Sequence, residues 1–171
     1  IGRLNSGAPV PRVGPLGRSP LVKVIVNFGP GGSADNSMRP FAEKVSRGLG
    51  QQVVIENKGG ASGALGLEAA ARSAPDGYTL LYGSAGNLAL LPHVKKMVVD
   101  PLQDLLAVGR FVTQPSLLAV NPALPVNNLQ ELVAMMRAQP GRLRMSTAGA
   151  GTSGHFAGEL LIAQAGVGPE V

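Results

Sequence analysis

The chain has 171 residues, enough for one ordinary domain or two small ones, and 44% of them are apolar, so it can bury a core built from Ala, Val, Leu and Ile. The formal charge is +5, but the basic residues are scattered singly or in pairs such as Lys95-Lys96 and never alternate with aromatics, which argues against nucleic-acid binding and leaves room for a small anionic ligand. Cys is absent, which excludes a disulfide framework and thiolate metal sites, and no apolar run approaches the ~20 residues of a membrane span.

Residues 1–19 are rich in Gly, Pro, Ser and Arg and lack the continuous apolar stretch of a signal peptide. They read as a disordered or non-native lead. Residues 21–28 form an almost unbroken apolar run with β-branched Val24, Ile25 and Val26, which predicts a strand buried on both faces. "FGPGGSADNSMR" follows, with three glycines and a proline between Gly29 and Gly32. A helix is expected from about Ala34 to Leu49, its apolar stripe made of Met38, Phe41, Ala42, Val45 and Leu49, with Gly50 closing it. "QVVIEN" predicts a second strand, the glycine-rich "KGGASG" a turn, and residues 64–73 a second helix. Pro75-Asp76-Gly77 is a turn and "YTLLYG" a third strand. The order β-α-β-α-β implies a parallel sheet.

Beyond "SAGNLALLPHVKKMVVDPLQDL" the expectations are two short strands, "LAVGRFV" and "SLLAVN", then a helix over "NNLQELVAMMRAQ" capped by Asn127 or Asn128 and ended by Pro140-Gly141. "LRMSTAGAGTSGHFAGELLIAQAG" repeats the opening device of strand, Gly/Ser loop and helix. Loops 29–35, 84–87 and 146–154 therefore all follow strands, where ligands gather in open α/β sheets.

The loop at 29–35 offers unhindered N–H groups at a helix start, where partial positive charge favours a carboxylate or phosphate. The same residues also make an ordinary tight turn in which Ser33 or Asp35 caps the helix, and the local pattern leaves both open. It is neither a Walker loop nor G-x-G-x-x-G. "STAGAGTSGH" presents the hydroxyls of Ser146, Thr147, Thr152 and Ser153, with a plain helix cap as its alternative. His155 and Glu159 are four apart, but no acidic cluster accompanies them, so no metal is expected. Ser84 lacks the glycine two positions earlier that a nucleophile elbow needs, and no triad is completed, so no enzyme is expected.

The segments "VNFGPGGSADNSMRPFAEKVSRGLGQQVVIENKGGASGALG", "APDGYTLLYGSAGNLAL", "DPLQDLLAVGRFV" and "STAGAGTSGHFAGELL", in this order and spacing, resemble the substrate-binding receptors of tripartite tricarboxylate transporters, the Bug proteins. The resemblance runs from about residue 20 to 167. It implies an α/β fold of the periplasmic binding protein type II-like, Venus-flytrap class, with a first domain over 20–103 and a second, incomplete one over 104–171. It implies a periplasmic receptor for a small carboxylate (a di- or tricarboxylate, acidic amino acid or aromatic carboxylate), with membrane transporter subunits as partners and no cofactor. The ligand would be lined by Gly31, Gly32, Ser33, Ala34 and Asp35, joined by Ser84, Ala85, Gly86 and Asn87 from the first domain, and faced by Thr147, Ala148, Gly149, Gly151, Thr152 and Ser153 from the second. Against the family pattern, Leu91-Pro92 stands where Asn-Pro is common, and the chain reads as the N-terminal three-fifths or so of a receptor without an export signal. The alternative reading is a truncated remnant or structural α/β fragment that binds nothing and self-associates through exposed sheet edges.

Overall fold

A computed structural model describes residues 21–167; the expected lead over residues 1–19 lies outside them. The chain divides into two compact units, the first ending at Gly83 and the second beginning at Ser84, whereas the sequence reading changes domain after residue 103.

In the first unit, β1 (Val22–Val26), α1 (Ser33–Leu49), β2 (Val53–Asn57), a 3-10 turn (Ala61–Gly63), α2 (Ala64–Ala71) and β3 (Thr79–Tyr82) follow one another. The three strands form a parallel sheet in the order β2-β1-β3, with Val24 opposite Ile55 on one side and Leu80 on the other. The central position explains the sequence of β1. Val24, Ile25 and Val26 are all buried, as a strand covered on both faces requires.

Helix α1 packs Met38 and Ala42 inward, but Phe41 and Leu49, expected on the same stripe, are exposed. The lengths account for part of this. Seventeen helical residues span about 25 Å, against about 17 Å for a five-residue strand, so α1 is longer than the strands it packs on. Gly50 ends the helix at φ 63°, a left-handed conformation that glycine adopts without a Cβ penalty.

The second unit contains a π-helical turn (Gly86–Leu90) that runs into α3 (Leu91–Val94), then α4 (Leu129–Ala138) and α5 (Ser153–Ala165). The π turn and α3 were not foreseen. Leu132, Met136, Ala165 and Val167 form the core between α4 and α5, flanked by Val126, Val133, Leu143 and Ile162. Asn128 is the cap of α4: its side chain accepts from the Glu131 N–H at 2.9 Å, while Glu131 reaches back to accept from the N–H of Asn127, the residue before the cap, at 2.6 Å, an arrangement akin to a capping box.

The strands expected over 106–112, over 116–121 and before the Ser/Thr loop are not formed. None of them belongs to the described sheet, and the residues from 106 to 121 are exposed throughout. A β-prone sequence becomes a strand only when a neighbouring strand satisfies its N–H and C=O groups, and the described sheet holds only β1, β2 and β3.

Candidate functional site

The first candidate loop is the turn between β1 and α1. Gly31, at φ 77°, makes the bend that only a residue without a Cβ enters freely. Gly32 is the N-cap of α1, and no side chain caps the helix there. The N–H groups of Gly32, Ser33 and Ala34 therefore head α1 with no side-chain acceptor, and Gly31, Gly32 and Ser33 are exposed. By contrast α4 and α5 are capped, by Asn128 and Thr152.

Asp35 behaves differently from its neighbours in this loop. It is 1% exposed and is turned inward. Its Oδ2 accepts from the Gly31 N–H at 2.9 Å and from Arg39 Nε at 2.9 Å, and its Oδ1 accepts from Asn57 Nδ2 at 3.0 Å. Asn57 Nδ2 also donates to Phe28 O at 3.3 Å, and Asn57 Oδ1 accepts from Arg39 at 3.4 Å. The Arg39 guanidinium, then the Gly31 N–H, outweigh burial and with Asn57 lower the Asp35 carboxyl from 3.8 to about 2. One of the N–H groups expected to face a ligand, that of Gly31, is thus already taken.

The sequence reading passed over the loop between β2 and α2. Gly59 lies against the first loop so closely that a Cβ on it would stand 3.0 Å from Gly29 N and 3.3 Å from Phe28 C. Gly60, Ala61, Ser62 and Gly63 follow with positive φ at four successive residues, two of them carrying a Cβ. The signal was present in "ENKGGASG", a glycine cluster at the carboxyl end of a strand, which is the reasoning that singled out the other three loops. Beneath it Asn27 is fully buried. Its Nδ2 donates to Gly63 O at 3.5 Å, and its Oδ1 has no partner.

The other candidate residues fall together in the second unit. In the 84–87 loop, Ala85 is exposed, Gly86 and Asn87 are buried, and Asn87 Oδ1 accepts from the Ser84 N–H at 2.9 Å. Asn87 Nδ2 is buried without a partner. A Cβ on Gly86 would stand 2.7 Å from Ser153 N, so this loop and the start of α5 are in direct contact. In the 147–153 loop the Gly149 N–H donates to Thr147 Oγ1 at 3.3 Å, and Thr152 Oγ1 donates to Gly149 O at 2.7 Å while accepting from the His155 N–H at 3.4 Å. Gly149 and Gly151 have φ 129° and 83°, and Ala148 is exposed. Most of these hydroxyl contacts close the loop on itself, as a helix cap does. His155 Nδ1 accepts from the Gly151 N–H at 3.4 Å, and Nε2 lies 3.7 Å from Glu159. Leu91, at the position where a polar residue is common in the family, is buried.

A parallel α/β sheet with glycine loops at its strand ends is the architecture of periplasmic binding proteins, and solved structures of that class bear this out. A structure from Rhodopseudomonas palustris described as Rpa4515 with adipate superimposes with TM-score 0.80 at 32% identity, covering 86% of this chain and 50% of that one. MatC of the same organism, with bound malate, superimposes with TM-score 0.74 at 30% identity, covering 87% of this chain and 51% of that one. Residues 37–169 match the tripartite tricarboxylate transporter family receptor, and the chain belongs to this family. Protein BugT of Bordetella pertussis is 38% identical over 144 residues, which is 81% of this chain and 43% of BugT. The chain thus spans about half the length of the relatives it matches, less than the three-fifths its sequence suggested.

Proposed function

We propose that the chain is the ligand-capturing part of a periplasmic solute-binding receptor for a small carboxylate, that it delivers this ligand to tripartite tricarboxylate-type membrane subunits, and that it catalyses no reaction. The observation that carries the reading is the head of α1, where the Gly32, Ser33 and Ala34 N–H groups have no side-chain cap and the turn before them is exposed. Such a helix start attracts an anion, and a carboxylate accepts from two adjacent N–H groups at once. Family membership and the adipate and malate of the two solved relatives favour a carboxylate over a phosphate. On this reading Gly31–Asp35 shape the anion-holding turn of the first unit; Ser84–Asn87 and Thr147–Ser153 present polar groups in the second unit, Asn87 Nδ2 among them. The domains of the intact receptor would run over 20–103 and from 104 onward.

Calorimetry of the chain, and of a version extended to the length of the relatives, against adipate, malate and acidic amino acids tests the proposal. Saturable heat with at least one carboxylate is expected. Silence from both folded proteins across the panel would contradict it.

A further inference from the structure

We propose that Asp35 is a positioning residue, which latches the Gly29–Gly32 turn onto the end of β2 and so aims the free N–H groups of α1 without itself touching ligand. This rests on the carboxylate reading of the same loop. The expectation from the sequence was that Asp35 lines the ligand.

The geometry points away from direct contact. Asp35 is 1% exposed, and both carboxylate oxygens are occupied: Oδ2 by Gly31 and Arg39, Oδ1 by Asn57. These donors come from three places, namely the turn, the next turn of α1 and the last residue of β2. Asn57 then closes the circuit onto Phe28 O, at the entrance to the same turn. One carboxylate therefore fixes both ends of a glycine turn that has little stiffness of its own.

The charge logic agrees. A carboxylate facing outward at an anion site would repel the ligand. Turned inward and paired with Arg39 at 2.9 Å, it leaves the positive end of the helix as the exposed feature. Its place in the first turn also suits the helix dipole.

The test uses Asp35→Asn, with two readouts. The first is amide exchange at Gly31 without ligand. The second is affinity for two probes of different charge pattern, adipate and glutamate, the latter carrying an ammonium group. Losing one charge-assisted hydrogen bond should speed Gly31 exchange and weaken both probes by a common factor, each on the order of tenfold. If Asp35 touched ligand, the neutral side chain would instead bind adipate more tightly and glutamate less tightly, and that divergence would overturn the proposal. Unchanged Gly31 exchange, with wild-type affinities intact, would also overturn it while sparing the carboxylate reading. A wild-type protein that binds neither these probes nor malate would overturn the carboxylate reading and the positioning role with it. If Asp35→Asn does not fold, Asn57→Ser removes one arm of the latch: faster Gly31 exchange with both probes weakened is expected, and unchanged exchange with wild-type affinities would overturn the proposal.

Discussion

Gly66 rests directly on Asn27: a Cβ built on Gly66 would stand 2.6 Å from Asn27 Cβ and 2.8 Å from the Lys58 carbonyl oxygen. The contact seats α2 on the end of β1, where neither backbone nor a fully buried side chain yields easily. Gly66→Ala should therefore lower stability by about 1–3 kcal/mol, the usual cost of forcing atoms into a packed site. Denaturant unfolding of the two proteins measures the difference. Equal midpoints would show that α2 and β1 are not held as described.

Gly32→Val should separate binding from folding. Gly32 has φ −74°, an ordinary value, and a Cβ there meets only Gly29 O at 3.5 Å. As Gly32 is the N-cap, where Val is disfavoured, stability should fall by about 1 kcal/mol without loss of the fold. The branched side chain would also crowd the approach of a carboxylate to the first N–H groups of α1. Carboxylate heats should vanish in calorimetry while the protein still melts cooperatively. Undiminished affinity would remove this turn from the site.

Asp35 gives stability a definite pH dependence. Its carboxyl titrates at about 2 in the folded protein, against an ordinary 3.8, because Arg39 and the Gly31 N–H favour the charged form. A depressed carboxyl stabilises the fold fully above its ordinary value, and that contribution is lost as pH falls through about 2. Wild type should thus melt above Asp35→Asn near neutral pH, and the gap should close over the acid range between those two values. A gap that is constant with pH would mean that the charge of Asp35 is irrelevant to the fold.

The segment from 102 to 120 should make the isolated chain associate with itself. Leu102, Leu106, Val108 and Leu117 are each at least 80% exposed, and no described helix or strand includes this stretch. A run of exposed apolar side chains is a usual route to association. Light scattering at rising concentration should show a growing mean mass, and Leu106→Lys together with Leu117→Lys should reduce it. A concentration-independent monomer would contradict the expectation.

What could be read from the sequence was local. The Gly50 helix end, the Asn128 cap and the strand–turn–helix at 22–49 each follow from residues a few positions apart. The inward turn of Asp35 involves Asn57, 22 positions away, a contact that no motif read along the chain contains. The segments at 106–112 and 116–121 carry strand-like residues, but pairing is a property of two segments, and the described sheet holds only β1, β2 and β3. The π turn at Gly86–Leu90 was missed; it lies against Ser153, a contact between segments far apart in the chain.

The most direct test of the account is a titration of the 15N-labelled chain with adipate, followed at individual amides. Direct hydrogen bonding to a carboxylate should move the Gly32, Ser33 and Ala34 resonances downfield along one common saturation curve. The Gly31 amide, held by Asp35, should move least of the four. Binding that leaves those three resonances in place would contradict the claim that the head of α1 holds the ligand.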